Sequence, residues 1–177
     1  MKVNNFFKLV IAIAVSELAG IIGSVFTISA IPNWYAGLVK PALNPPAWVF
    51  GPAWTTLYAL MGVSLFLVWK QHSSILDPSS RAKLATGQGN VRMLRMWKIG
   101  IAAFFVQLFL NAIWSIIFFG LQNPGWALVD IVFLWLAIVW TIIVFYKISK
   151  LAAYLLLPYL LWVSFAMYLN YAIWALN

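Results

Sequence analysis

Five stretches of apolar sequence, each long enough to cross a bilayer, leave this chain few folds to choose from. A membrane helix needs about 20 predominantly apolar residues. Runs of that length cover residues 6–31, 47–69, 97–120, 126–146 and 153–176. In hydrocarbon every backbone N–H and C=O must find a partner inside the protein, so segments of this length span as helices. The sequence predicts an all-α integral membrane protein, a five-transmembrane-helix bundle forming one domain over 1–177. Composition agrees. The chain is 65% hydrophobic and only 8% charged, where a soluble domain carries about 25% charged residues. The first run reads as a span and not as a cleaved signal, because its apolar part is long and carries Glu17. Cysteine is absent, which excludes disulfides, thiolate metal sites and a cysteine nucleophile.

Basic residues orient the bundle. Five spans put the N-terminus, the connector 70–96 and the joint 147–150 on one side of the membrane. That side holds Lys2, Lys8, Lys70, Arg81, Lys83, Arg92, Arg95, Lys98, Lys147 and Lys150, and the opposite side holds Lys40 alone. By the positive-inside rule the N-terminus is inside and the C-terminus outside. The net charge of +8 thus reads as a topology signal and a contact with anionic lipid headgroups. No basic folded module suggests nucleic acid as a partner. The connector 70–96, rich in Ser, Gly and basic residues, is expected to be a mobile link, with a short interfacial helix near 91–98 as the alternative. The only histidine, His72, is expected to be a solvated residue of that connector, with no second ligand to make a metal site.

Two carboxylates fall inside the spans. Glu17 lies mid-helix in the first run, where an intramembrane acid marks either a functional site or a hydrogen-bonded packing residue. Around it Ala12, Ser16, Gly20 and Ser24 recur every four residues, a small-residue stripe suited to close helix approach within the protomer or across a dimer. Asp130 is expected near the membrane interface, capping or pairing. No second carboxylate stands at helical spacing from either, so neither forms an acid–base pair.

Residues 34–62 are denser in information. They set Trp34, Tyr35, Trp48, Trp54 and Tyr58 around Pro41, Pro45, Pro46 and Pro52. Rings on a rigid backbone at a membrane boundary make either an interfacial anchor or the mouth of a pocket for a flat ligand. Helical spacing adds further walls. Trp54 and Tyr58 share a face of the second run, Asn111 and Trp114 one of the third, and Trp162, Ala166 and Asn170 one of the fifth. Stacking faces plus a few orienting polar groups are what a flat, mostly apolar ligand requires.

These residues also carry a resemblance. The series Trp34-Tyr35 to Lys40-Pro41, Asn44-Pro45-Pro46 to Trp48, Gly51-Pro52-x-Trp54, Leu57-Tyr58 and Met61-Gly62 continues with Gln107 to Asn111-x-x-Trp114 and Phe118-Phe119-Gly120. Gly125-Trp126 to Asp130, Pro158-Tyr159 to Trp162 and Leu169-Asn170-Tyr171 complete it. In order and spacing it resembles the translocator protein / tryptophan-rich sensory protein family (TspO/MBR, the peripheral benzodiazepine receptor family), over nearly the whole chain.

The resemblance implies a compact, dimeric five-helix bundle whose long first loop is a lid over a ligand cavity. Its members bind protoporphyrin-type tetrapyrroles, isoquinoline and benzodiazepine drugs and, in eukaryotes, sterols. Carried over by position, the ligand-binding residues are Tyr35, Trp54, Tyr58, Asn111, Trp114, Trp162 and Ala166, with Pro45 and Pro46 shaping the lid over 34–46. The indole of Trp54 and the amide of Asn111 are expected to donate hydrogen bonds to the ligand. Trp48 is left as the interfacial anchor. Leu169 and Tyr171 are remnants of the family's sterol motif, whose closing arginine is replaced here by Ala175.

The expected function is that of a membrane translocator or sensor binding tetrapyrroles and other flat hydrophobic molecules, with no cofactor or metal required. Two alternatives stand beside it: light- and oxygen-dependent porphyrin degradation, with Trp54 and Trp162 against the macrocycle, and lipid or sterol transport. The expected site of action is a prokaryotic plasma membrane, with the mitochondrial outer membrane second.

Overall fold

The computed structural model describes residues 4–75 and 87–177. Five helical segments are long and apolar enough to span a bilayer: Asn5–Tyr35, Ala47–His72, Val91–Gly120, Pro124–Ile148 and Lys150–Leu176. Among the described residues there is no strand.

Helix α1 (Asn5–Ala30) starts at Asn4, whose side chain accepts a hydrogen bond from the Phe6 N–H. Its sequence reading ended at Ile31, because Pro32 lacks an N–H and usually stops a helix. The chain instead widens into a π-turn over Ile31–Tyr35 with Pro32 at its start. A wide turn absorbs the proline ring without exposing the backbone to lipid. Helical backbone therefore carries as far as Tyr35, and the lid reduces to the stretch after it. Lys40 then satisfies the last carbonyls, donating from Nζ to Ala36 O (3.1 Å) and Leu38 O (3.0 Å).

A 3-10 turn over Ala47–Val49, entered from Pro46, leads into α2 (Phe50–Ile75). Helix α3 (Gly87–Ser115) closes with a second π-turn, Ile116–Gly120. The connector expected over 70–96 is thus shorter than its composition suggested. Residues 70–75 continue α2 and 87–96 belong to α3, because polar sequence prolongs a helix once it leaves the hydrocarbon. The expected link over 76–86 lies outside the described residues. Residues 91–98 form no separate interfacial helix, being continuous with α3. His72 is likewise no loop residue. It sits on α2 with its imidazole stacked on the Trp97 indole, centroids 3.9 Å apart.

After the π-turn, Gln122 takes a left-handed conformation (φ 52°), a reversal that ends many helices. Asn123 then caps α4 (Pro124–Ile148), its side chain accepting from Trp126 N at 3.1 Å. Asp130 does not fulfil the capping role expected of it. It is buried about two turns further in, and its Oδ2 has no hydrogen-bond partner. The last span is broken. A short α5 (Lys150–Tyr154), capped by Ser149, is followed by α6 (Leu157–Leu176), with Pro158 at the start of α6.

Helices α3 and α4 pack along most of their length, and Phe104 and Phe145 stack between them with planes 4° apart. Ser64 donates to Ala152 O at 2.7 Å and ties α2 to α5 inside the bundle. The outward face of α1 presents Phe7, Ile11, Leu18, Ile22 and Val25, all exposed and apolar, as a lipid-facing surface must be. Its inward face is small. Ala12, Ser16, Ala19 and Gly23 are buried, so the small-residue stripe packs inside the protomer at Ala12 and Ser16, while its other members, Gly20 and Ser24, are only partly buried. Across from it, Gly62 of α2 touches the backbone of α1. A Cβ added there would stand 2.5 Å from the Ile13 Cα, closer than two carbons can sit.

This close approach generates a prediction. Gly62→Val forces the two backbones apart and lowers stability by about 1–3 kcal/mol, the usual cost of overpacking. Gly37→Ala, where a Cβ meets nothing within 4 Å, leaves stability unchanged. Thermal unfolding in detergent, followed by tryptophan fluorescence, checks the pair. Equal midpoints for the two variants would contradict the close-packed α1–α2 seam.

Candidate functional site: an aromatic cavity beside the first two spans

An aromatic cavity bordered by α1 and α2 has a volume of about 510 Å³, within the roughly 300–1,000 Å³ of small-molecule sites. Helix α1 contributes one side from Glu17 to Ile31, a length of about 20 Å at the helical rise. Helix α2 supplies Trp54, Thr55 and Tyr58, the end of α3 Trp114 and Phe118, and α6 Trp162, Ala166 and Asn170. Ile21, Ile28 and Trp48 line the cavity while remaining exposed, so they form its rim.

The rings are arranged as faces and edges. Trp54 stacks on Tyr58 with centroids 5.5 Å apart and planes at 27°. Trp162 meets Trp54 edge-on at 6.5 Å and 85°. On the opposite side Trp114 stacks on Phe118 at 5.1 Å, and Tyr35 tilts against Phe118 and Phe119. Offset and edge-on pairs are the favoured aromatic geometries.

What fixes these rings is a set of hydrogen bonds directed away from the cavity. The Tyr58 hydroxyl donates to Asn111 Oδ1, and Asn111 Nδ2 donates to the Tyr159 hydroxyl at 3.2 Å. Trp114 Nε1 donates to Asn170 Oδ1 at 3.0 Å, and Asn170 Nδ2 donates to Pro124 O at 2.7 Å. The Tyr35 hydroxyl donates to Asn44 Oδ1 at 2.8 Å, which pins the first loop. A second pin joins that loop to the last residue. Val39 N donates to Asn177 Oδ1, and Asn177 Nδ2 donates to Val39 O, both at 3.0 Å.

The structure brings together Tyr35, Trp54, Tyr58, Trp114, Trp162 and Ala166 around this one cavity. It separates three other candidates from it. Asn111 is buried behind Tyr58, outside the lining, with both ends of its amide bonded to tyrosines. It positions a wall and does not reach the cavity. Pro45 and Pro46 lie in the loop beyond the lining. Pro45 O accepts from Asn44 Nδ2, and Pro46 caps the 3-10 turn. Trp48 is 74% exposed, as an anchor would be, yet it also stands on the cavity rim. Leu169 lines the cavity whereas Tyr171 faces outward, so the sterol-motif remnant is divided between two faces. Sequence reasoning missed the wall made by α1 itself, with Gly20, Ser24 and Thr27. The small-residue stripe was the available signal, since the Tyr58 ring fills the space a side chain at Gly20 would take. Among the described residues, no three His, Cys, Asp or Glu side chains group as metal ligands.

A five-span helical bundle around an aromatic, hydrogen-bond-braced cavity defines a multi-pass membrane protein. Comparison with known proteins makes this specific. The model of the TspO/MBR family matches residues 12–175, and the chain belongs to that family. It is 45% identical to the tryptophan-rich protein TspO of Archaeoglobus fulgidus over 98% of this chain and 99% of the relative. It is 38% identical to the human translocator protein over 91% of this chain and 85% of that one. With the tryptophan-rich sensory protein of Cereibacter sphaeroides the identity is 32%, over 82% of this chain and 77% of the relative.

The braced wall yields a second prediction. Asn111→Leu orphans two tyrosine hydroxyls in the bundle core and costs stability on the order of 1–2 kcal/mol per lost interhelical bond. It also frees the Tyr58 ring. Chemical denaturation in detergent measures the first effect. An Asn111→Leu protein as stable as wild type would show that the amide braces nothing.

Proposed function

We propose that this protein binds tetrapyrroles of the protoporphyrin type, and other flat hydrophobic molecules, in the cavity between its spans, and works as a membrane translocator or sensor for them. One observation carries the reading: ring walls from α2, α3 and α6 converge on a single cavity of flat-ligand size. Flat ligands stack on such rings, and the indole N–H groups of Trp54 and Trp162 are donors that can orient them. No lysine, arginine or histidine lines the cavity among the described residues. The carboxylates of a tetrapyrrole would accordingly turn toward the rim and solvent, with the macrocycle inside. The binding itself requires no cofactor or metal.

The skew of basic residues favours an N-terminus inside and a C-terminus outside. Archaeal and bacterial relatives that align end to end with this chain support a prokaryotic plasma membrane. A homodimer, and drugs of the isoquinoline and benzodiazepine type as further ligands, belong to the same reading by kinship. The loop after Tyr35 would act as the lid, held by Tyr35 at one point and by Asn177 at another.

A second reading, oxidative breakdown of bound porphyrin, draws on the edge-to-face contact of Trp54 and Trp162 in one wall. It requires a photoproduct, and binding alone does not. If illuminated protein with protoporphyrin yields no new chromophore while binding persists, the enzyme reading falls.

For the binding reading, protoporphyrin should quench tryptophan fluorescence saturably. Trp54→Ala and Trp162→Ala should each weaken binding by about 1–3 kcal/mol, the range for loss of one stacking platform. Ala166→Phe should occlude the cavity and lower affinity without lowering the unfolding midpoint. Three variants that bind as wild type does would remove the cavity from the function.

A further inference from the structure

Glu17 lines the same cavity, and the reading above gives it nothing to do. Its place follows from helix geometry. Glu17 and Gly20 are three residues apart and share a face of α1. Gly20 lies against the Tyr58 ring, so the carboxylate is brought to the Tyr58 end of the cavity, one turn from the exposed Ile21 and away from Trp48 and Ile28. No hydrogen bond or ion pair engages it among the described residues. Several other polar groups of the lining are already committed. The hydroxyls of Ser24 and Thr27 donate to backbone carbonyls of their own helix, at 2.7 and 2.9 Å. Tyr58, Trp114 and Asn170 are tied outward as described above.

The electrostatics are therefore one-sided. The cavity offers a single acidic group, several aromatic faces and no cationic side chain among the described residues. An acid in so apolar a place lacks a partner. Aromatic faces attract cations through their quadrupoles, most strongly where water is excluded. Carboxylate and rings together form the kind of box that recognises an ammonium group.

Resting on the cavity reading above, we infer that Glu17 makes the Tyr58 end of this cavity a cation subsite, so that the protein prefers flat hydrophobic ligands carrying an ammonium group over their neutral counterparts. The ammonium sits between the Glu17 carboxylate and the Tyr58 face. The aromatic body of the ligand extends along Trp54 and Trp162 toward the rim. A tetrapyrrole, whose carboxylates are anionic, enters with those groups outermost and leaves this subsite unused.

The test uses two probes of one shape: a naphthyl compound bearing a trimethylammonium group, and its neutral isostere with a tert-butyl group in that place. Affinities are read by tryptophan quenching of the full chain in detergent, for wild type, Glu17→Gln and Glu17→Asp. The readout is the ratio of the two affinities in each protein, compared between proteins, so that different partitioning of the probes into detergent cancels. The expected result is a cation preference at least about tenfold greater in wild type than in Glu17→Gln, in the range of close charge pairs. The neutral probe should bind both proteins alike, and Glu17→Asp should keep most of the preference. A ratio unchanged in Glu17→Gln overturns the cation subsite, whereas the cavity reading survives if the neutral probe still binds. If neither probe binds wild type saturably, the cavity reading falls and the subsite with it. Should Glu17→Gln fail to fold, Glu17→Ala takes its place, and a ratio there equal to that of wild type overturns the subsite.

Discussion

The amide of Asn111 bridges two tyrosine hydroxyls, and through them it joins three helices inside the hydrocarbon layer. Tyr58 belongs to α2, Asn111 to α3 and Tyr159 to α6. In water such a network would trade protein partners for solvent at little net gain. In lipid there is no solvent to trade with, and apolar contact alone does not discriminate one helix face from another. A shared amide sets both the rotation and the height of each helix. The Trp54–Tyr58 stack, the Trp162 edge and the shape of the cavity all follow from where Tyr58 is held.

Helix α1 obeys a different rule. It contributes few polar contacts to its neighbours and relies on small residues instead. Gly62 lets its backbone approach α2, Gly23 meets Ser115 of α3, and Gly120 accommodates Phe26. Close approach at these points brings α1 alongside rings too bulky to follow it inward. The space left between a narrow helix face and a wall of indoles and phenols is the cavity. Filling it would require a larger residue at Ala166, where the sequence has a small one, while at Gly20 the Tyr58 ring already takes the space of a side chain. The void is thus a consequence of residue size at a few positions and does not signal loose packing elsewhere.

The spans, the pairing of rings on helical faces and the position of the cavity among the spans were legible in the sequence, because each depends on hydropathy and periodicity. Three features were not. Pro32 reads as a helix stop, yet the helix runs on to Tyr35 through a π-turn, since a broken backbone is costlier in lipid than a widened one. The polar composition of 70–96 reads as a link, but polarity reports where the membrane ends and not where the helix does. Asn111 shares a helical face with Trp114, and the periodicity of one helix cannot tell a residue that lines a cavity from one that braces the ring in front of it. Only the neighbouring helices decide that, and they place Tyr58 between Asn111 and the cavity.

The same separation explains why the cavity is so apolar although its lining includes tyrosine, indole and amide groups. Tyr58, Tyr35 and Trp114 each turn an apolar face inward and bond their polar end elsewhere. Tyr58 reaches the bundle core through Asn111, Tyr35 reaches the first loop through Asn44, and Trp114 reaches the α3–α4 joint through Asn170 and Pro124. These bonds leave the rings free to stack and deny them freedom to rotate. They also give the cavity three mechanical connections to the rest of the molecule. One of these ends in the loop that Asn177 grips from the other side, so Tyr35 inside the bundle is bonded to the same loop that the last residue holds. A buried ring whose hydroxyl holds a surface loop is a short physical path between the interior of the bundle and its outer face.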